Sequence, residues 1–363
     1  MLVAAGWVLA MPSDREQTHS AFQELPEVDV AGLYSDEVEV RRAAARGLGE
    51  ASRAAGFFYL KGHRVGNALI AGLMEQAAAF FVQSREAKLE HYIGKSHNHR
   101  GYVPPGEEVF YGGERDQKES FDLCFEAPAD AVTQRHPFFG ANVWPTLPGF
   151  RDVVSRYYAA VFELGQRLLR GFALALELPE TFFDRFVSAP PSQLRMLHYP
   201  PNPSADVTVG IGAHTDYECF TILLPTAPGL EVMNGAGEWI DAPPRAGSFV
   251  VNIGDTLEMW TNGELTATSH RVRKVHEERF SFPLFFSCDY DVVVEPLEQF
   301  VTPERPPRYP AVKAGEHLYA QTVQSFTYLK ERLARGELAL PTGARPLSSF
   351  GQEGKVIYER SAS

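Results

Sequence analysis

The sequence predicts a mixed α and β fold, with N-terminal helices, a β-sandwich or barrel core and a closing helix. Three observations carry this. Helical segments, separated by two strand-like runs and a long loop, recur through residues 37–187. From Gln193 the texture changes to short β-like runs separated by Pro, Gly and Asn, recurring roughly every 8 to 12 residues. Helical periodicity then returns from Val312 to Leu338.

Taken in order, Leu25 to Leu33 (LPEVDVAGL) alternates apolar and polar residues and reads as a strand. Glu37 to Ala55, rich in Ala, Arg and Glu, reads as a helix stopped at Gly56. Gly56 to His63 (GFFYLKGH) is an aromatic strand running into a turn. Val65 to Tyr92 is helical in period, with REAKLEHY as its exposed final part. Gly94 to Gly113, rich in glycine with two prolines, reads as a long loop of the kind that is functional or disordered. Lys118 to Glu126 alternates as a strand does. Pro148 to Leu178 is one long amphipathic helix stopped by Pro179, and a shorter helix runs to about Val187.

Eight strands are expected next: QLRMLHY (from Gln193), VGIGAH (from Val209), CFTILLP (from Cys219), LEVMN (from Leu230), EWIDA (from Glu238), SFVVNIG (from Ser248), SHRVRKV (from Ser269) and RFSFPLFFSCDY (from Arg279). MNGAGEW, from Met233, has the glycines of a hairpin tip. No repeat, low-complexity segment or linker is visible. The expected organisation is a leader at 1–20, a single domain at 21–345 and a tail at 346–363. Within the domain, 21–190 is the N-terminal helical and strand part, 191–295 the β core and 296–345 the C-terminal helical part.

Composition excludes several classes. Hydrophobic residues make up 44%, aromatics 12% and charged residues 22%, the proportions of a globular chain. No apolar run approaches the roughly 18 residues that span a bilayer. A net charge of -12 repels phosphate backbones and anionic membranes, so neither nucleic acid nor membrane is an expected partner. The three cysteines, Cys124, Cys219 and Cys288, are far apart with no C-x-x-C pair. They read as small buried hydrophobes in a cytoplasmic protein. The apolar start from Met1 to Met11 has no basic residues before it, so it does not read as a signal peptide, and Met11 is the expected start of translation.

The segment GIGAHTDY places His214 and Asp216 two residues apart after a glycine-rich turn. On a strand such side chains share a face. Alone the pair is weak, since a hydrogen-bonded couple at a strand end is the commoner case. His270, at the start of another expected strand, adds a second imidazole. Two imidazoles and a carboxylate suit iron(II) with positions left open; zinc would take the same ligands. Arg279 and Ser281 share a face of RFSFPLFFS, a strand too apolar to be exposed. A buried guanidinium beside a hydroxyl is a receptor for a carboxylate. An acid that chelates metal at one end and reaches the arginine at the other fits both features, and 2-oxoglutarate is such an acid.

These segments resemble the iron(II)- and 2-oxoglutarate-dependent dioxygenases, in the branch that includes isopenicillin N synthase. AAGFFYLKGHRV is similar to the family's G-F-F-x-x-x-x-H-G segment, with Arg64 where glycine is usual. RMLHYPPNP is similar to R-x-N-Y-Y-P-x-C-P, with Leu197 at the asparagine. GAHTDYECFTILL and ATSHRVRKVHEERFSFPLFF are similar to its H-x-D and distal H…R-x-S segments. The resemblance implies a double-stranded β-helix (jelly-roll) core with flanking N-terminal helices and a C-terminal helix. It implies His214, Asp216 and His270 as ligands of Fe(II), and Arg279, Ser281 and Tyr199 as contacts of 2-oxoglutarate. With O2 such an enzyme oxidises a small-molecule substrate by hydroxylation, desaturation or cyclisation, releasing succinate and CO2. Two relatives of that chemistry stay open: an oxidase using no 2-oxo acid, and an ethylene-forming enzyme that fragments 2-oxoglutarate. A non-catalytic binding module is disfavoured, because binding alone would not need all five motif residues.

Other candidates weigh less. His276 in KVHEER is expected in solvent, as are the loop residues His97 and His99. The loop with Tyr102, Phe110 and Tyr111 is expected to act as a substrate lid. Phe121 and Phe125 divide evenly between pocket lining and core.

Overall fold

A computed structural model describes residues 21–109, 118–126, 136–201, 209–273 and 276–344. The expected leader with Met11, the lid residues Phe110 and Tyr111, and the tail at 346–363 lie outside the described residues.

The first half carries β1 (Glu27–Asp29), α1 (Val38–Ala54), β2 (Phe57–Lys61), α2 (Asn67–Phe81), α3 (Arg85–Leu89), β3 (Gly101–Val103), β4 (Glu119–Cys124) and α4 (Phe150–Ala175). The second half carries β5 (Gln193–Tyr199), β6 (Val209–His214), β7 (Phe220–Pro225), β8 (Leu230–Met233), β9 (Trp239–Asp241), β10 (Phe249–Ile253) and α5 (Asp255–Trp260). It continues with β11 (His270–Arg273), β12 (Arg279–Phe286), β13 (Val293–Val294), β14 (Val312–Lys313), α6 (Ala314–Ser325) and α7 (Thr327–Ala334).

Two sheets form the jelly-roll core. The larger has eight strands in the order β1-β2-β10-β7-β12-β5-β4-β3, and the smaller has four in the order β6-β11-β8-β9. The β8–β9 pair is the hairpin that MNGAGEW predicts, with Met233 opposite Trp239. Strands β1 to β4 precede residue 191 yet join the large sheet, so the sheet crosses the expected boundary between helical part and core.

Neighbouring rows across the large sheet show why it separates helices from site. Phe58, Val251, Ile222, Leu284, Leu194 and Leu123 are successive cross-strand partners. All belong to the main apolar core. Each contributes roughly 1.5–3 kcal/mol by leaving water. Long helix α4 packs on this face, and Gly165 lets Phe286 approach, since a Cβ there would sit 2.2 Å from its ring. One residue along, the opposite face carries the row Phe57, Asn252, Thr221, Phe285, Gln193 and Cys124. Strand alternation turns this more polar row toward the sandwich interior.

The elements depart from expectation where local chemistry interrupts a pattern. The predicted helix from Val65 to Tyr92 breaks after Phe81 because Ser84 caps a new helix, accepting a hydrogen bond from the Ala87 amide. The C-terminal helix breaks at Phe326, whose backbone is extended (φ -93, ψ 132). Helix α5 was not expected: all six of its residues are buried, so it has no amphipathic period to read.

Candidate metal and acid-binding site

His214 ends β6 and His270 begins β11, and the two are register partners, with ring centroids 4.3 Å apart. Asp216 follows two residues after the strand end. Its Oδ1 lies 3.8 Å from His214 Nε2 and 3.6 Å from His270 Nε2. One ligand atom from each residue lies within 4.8 Å of the others.

The remaining polar atoms are already engaged. His214 Nδ1 is 2.8 Å from the Gly212 carbonyl and His270 Nδ1 is 3.2 Å from that of Thr268. A carbonyl only accepts, so each Nδ1 donates and Nε2 is the nitrogen turned toward Asp216. Asp216 Oδ2 accepts from Asn252 Nδ2 at 2.7 Å and from the Thr221 hydroxyl, which leaves Oδ1 facing the imidazoles. Burial raises the Asp216 carboxyl, but the imidazoles and these two donors outweigh it and hold it below its ordinary value. Phe57 packs its ring edge-on to His270 at 5.1 Å. Two imidazole nitrogens and one carboxylate oxygen, oriented from behind, suit a divalent transition metal.

Arg279 opens β12 opposite Tyr199 of β5, and Ser281 lies opposite Leu197. Arg279 is fully buried. Its Nε donates to the Ala227 carbonyl at 3.3 Å, while Nη1 and Nη2 have no hydrogen-bond partner among the described residues. The guanidinium lies 4.8 Å from the centre of the Tyr199 ring. Burial lowers its affinity for the proton, yet an arginine stays charged. A buried cation with two open donors is a receptor built for an anion. Leu197 and Tyr199 from the large sheet meet Ile211 and Val272 from the small one in one apolar cluster. Leu197 presents no amide where the family has asparagine.

The inner face also carries a buried charge network. Arg195 pairs with Glu108 at 2.6 Å and with Asp122 at 3.0 Å, and Glu108 also pairs with Lys118. At the Gln193 end of β5, Asn98, His99, Gln193, Glu218 and Thr322 line a cavity. Burial first, then the Asp216 carboxylate, push the Glu218 carboxyl up to about 8.

Several expectations are corrected here. His99 is buried, not solvated: it meets the Tyr328 hydroxyl at 2.6 Å and Phe326 edge-on at 4.4 Å. Burial, with Arg195 nearby, lowers it to about 3. His97 and His276 are exposed, as expected. Tyr102 is no lid residue: it is buried and its hydroxyl donates to Glu119 at 2.5 Å. Phe121 and Phe125 face the helices, against Phe150 at 5.4 Å and Phe162 at 5.6 Å. From the same strand, Asp122 and Cys124 face the interior instead. Thr221, Asn252 and Glu218 escape a reading of the sequence. The one signal was Asn252, a polar residue inside the apolar run FVVNI.

Comparison with known proteins agrees with this geometry. The family described as the 2OG-Fe(II) oxygenase superfamily matches residues 190–287, and that described as non-haem dioxygenase in morphine synthesis N-terminal matches residues 25–147. The chain is 32% identical to the 2-oxoglutarate-Fe(II) type oxidoreductase hxnY of Emericella nidulans, over 83% of this chain and 90% of that protein. It is 35% identical to the homoarginine-6-hydroxylase 2-ODD-233 of Oryza sativa subsp. japonica, over 77% of this chain and 88% of that one. Among solved structures, a 2OG-Fe(II) oxygenase family protein of Caulobacter crescentus superposes with a TM-score of 0.74 at 32% identity, covering 86% of this chain and all of that one. The dioxygenase for auxin oxidation of Arabidopsis thaliana, as its binary complex with 2-oxoglutarate, superposes with a TM-score of 0.62 at 26% identity, covering 78% and 99% of the two chains.

Proposed function

This chain belongs to the iron(II)- and 2-oxoglutarate-dependent oxygenases, and from that premise we propose which of its residues carry the reaction. As an oxidoreductase of this family it uses Fe(II), 2-oxoglutarate and O2 on a small-molecule substrate. In our assignment His214 and His270 bind the iron through Nε2, and Asp216 through Oδ1. Thr221 and Asn252 hold the Asp216 carboxylate in position from its other oxygen. Arg279 and Ser281, with Tyr199, hold the far carboxylate of 2-oxoglutarate. Bound iron supplies the oxidative decarboxylation of 2-oxoglutarate to succinate and CO2, coupled to oxidation of a substrate C–H bond. The chain's residues keep both histidines in the right tautomer, anchor the acid and exclude water around it.

The observation that carries this reading is the Arg279 guanidinium, fully buried, with Nη1 and Nη2 unpartnered among the described residues, inside the same sandwich as the triad. A buried charge left open in this way is costly unless a ligand completes it. We test it with Arg279→Ala. Loss of a charge-assisted bidentate contact costs about 2–4 kcal/mol, roughly 30- to 1000-fold. The KM for 2-oxoglutarate should rise by that factor while bound iron is retained. An unchanged KM would move the acid elsewhere.

We further propose that residues 21–345 act as one domain, working in the cytoplasm and without nucleic acid. Three buried thiols, none in a disulfide, and the net charge of -12 support this. No helix among the described residues is long and apolar enough to cross a membrane.

A further inference from the structure

We propose that Thr268 is a positioning residue for the metal ligand His270, and that it ties this histidine to the C-terminal turn of α1. This rests on the metal-site reading above and goes beyond it by placing a support of the site in the N-terminal helical part. The two histidines are oriented by different means. His214 Nδ1 donates at 2.8 Å to the Gly212 carbonyl, two residues back within β6. Pairing of β6 with β11 holds that strand. His270 Nδ1 donates at 3.2 Å to the Thr268 carbonyl. Thr268 lies outside every strand and helix, so no ladder sets the direction of this carbonyl. The bond is also at the long end of the N–H···O range. The His270 ring therefore depends on whatever holds Thr268 in place.

The Thr268 side chain supplies that hold. The residue is buried, and its hydroxyl donates to the Ala55 carbonyl at 2.8 Å. The Thr266 carbonyl, 3.5 Å from the same hydroxyl, is too far to compete. Ala55 caps the C-terminus of α1, where the last carbonyls of a helix have no partner within it. A branched Cβ leaves threonine few χ1 rotamers, so a bonded hydroxyl also fixes the backbone that carries it. Gly56 then turns the chain with φ 64, and its carbonyl accepts from the Ile253 amide at 2.9 Å, beside the Asn252 that holds Asp216. Phe57 follows and packs edge-on to His270. Three consecutive residues, Ala55 to Phe57, thus support two of the three ligands. On either side of Thr268, the Ala267 amide donates to Glu258 Oε2 at 2.6 Å and the Ser269 carbonyl accepts from the Met233 amide at 3.0 Å. Loss of the hydroxyl therefore loosens the segment without releasing it.

The experiment compares Thr268→Ser with Thr268→Ala, which differ by the hydroxyl alone. Affinity is read with Co(II), which takes the same ligands, by competition with a chelator. Thr268→Ser should match the wild type, and Thr268→Ala should bind roughly tenfold more weakly, the lower end for a residue that orients a ligand. Equal affinity of the two variants overturns the proposal. Ser52→Ala is the control, because it removes another buried hydroxyl of α1 whose bond, to the Leu48 carbonyl at 2.7 Å, stays within the helix. It should leave Co(II) affinity unchanged. A loss equal to that of Thr268→Ala would show that affinity merely follows stability, and overturns the proposal. Proton NMR of the Co(II) protein reads each histidine separately, since the metal shifts both ligand Nδ1–H signals away from the rest. In Thr268→Ala one signal should move and exchange faster with solvent while the other keeps its place. Both unchanged, or both changed alike, overturns the proposal. Gly56→Ala reaches the same link from the helix side if Thr268→Ala does not fold, because it strains the positive φ and displaces the Ala55 carbonyl. It should weaken Co(II) binding and move the same signal; intact affinity and signals there overturn the proposal. A wild-type protein with no shifted imidazole N–H signal would overturn the triad assignment as well, which tells the two failures apart.

Discussion

At the scale of single residues, the ligand atoms owe their direction to partners that the sequence hides. The motif H-x-D…H was legible because its members have a fixed chemistry, and R-x-S because its strand was too apolar to be exposed. Thr221 and Asn252 were not legible, since only the register of β7 against β10 brings both to Asp216 Oδ2. His214→Ala should abolish metal retention. Asn252→Ala should lower metal affinity about 10- to 100-fold with all three ligands present, measured by competition with a chelator. Retention of wild-type affinity would mean that Asp216 needs no orientation. His99 gives a prediction in pH. Burial holds it at about 3, below its ordinary value of 6.5, so the unfolded chain binds the extra proton first as pH falls. Its contribution is present above pH 6.5 and is lost as pH falls toward 3, by up to about 1.4 kcal/mol per unit. The stability gap between wild type and His99→Gln, read by urea unfolding, should therefore narrow between pH 7 and pH 5. A gap independent of pH would show that His99 is not held neutral.

At the scale of elements, the triad is held by the seam between β10 and α5. The Gly254 amide donates to the Cys219 carbonyl, and the Asp255 amide donates to the Asp216 carbonyl at 2.8 Å. A Cβ on Gly254 would stand 2.2 Å from the Glu218 carbonyl oxygen, so only glycine lets the strand end pass under this loop. Gly254→Ala should push the loop from Asp216 to Glu218 outward. The expected result is a loss of about 1–3 kcal/mol in stability together with weakened metal binding, from thermal melts with and without metal. A loss of stability with intact metal affinity would place the strain elsewhere. Most element positions were legible from period and punctuation, including every strand of the second half from β5 to β12. Arg64, which departs from the family's glycine, keeps the left-handed backbone that glycine would adopt (φ 58) and stacks on Tyr34 at 4.3 Å. A cation–π contact of roughly 0.5–1 kcal/mol offsets much of that strain.

At the scale of the whole molecule, one sheet does two tasks by alternation. Its apolar row faces α4, and its polar row supports the site. Which strands pair was not legible, because alternation gives a face but not a neighbour. The N-terminal strands thus joined the core sheet without any sign in the sequence. The same pairing sets the anion receptor at Arg279 and the triad inside one sandwich, which is the central claim. Absorption spectroscopy without oxygen tests it most directly. Anaerobic Fe(II) protein titrated with 2-oxoglutarate should develop the visible metal-to-ligand charge-transfer band of a chelated 2-oxo acid. Arg279→Ala should need roughly 30- to 1000-fold more acid to reach the same band. A wild-type protein that binds iron but gives no band, and whose turnover 2-oxoglutarate does not stimulate, would contradict the account and favour an oxidase that uses no 2-oxo acid.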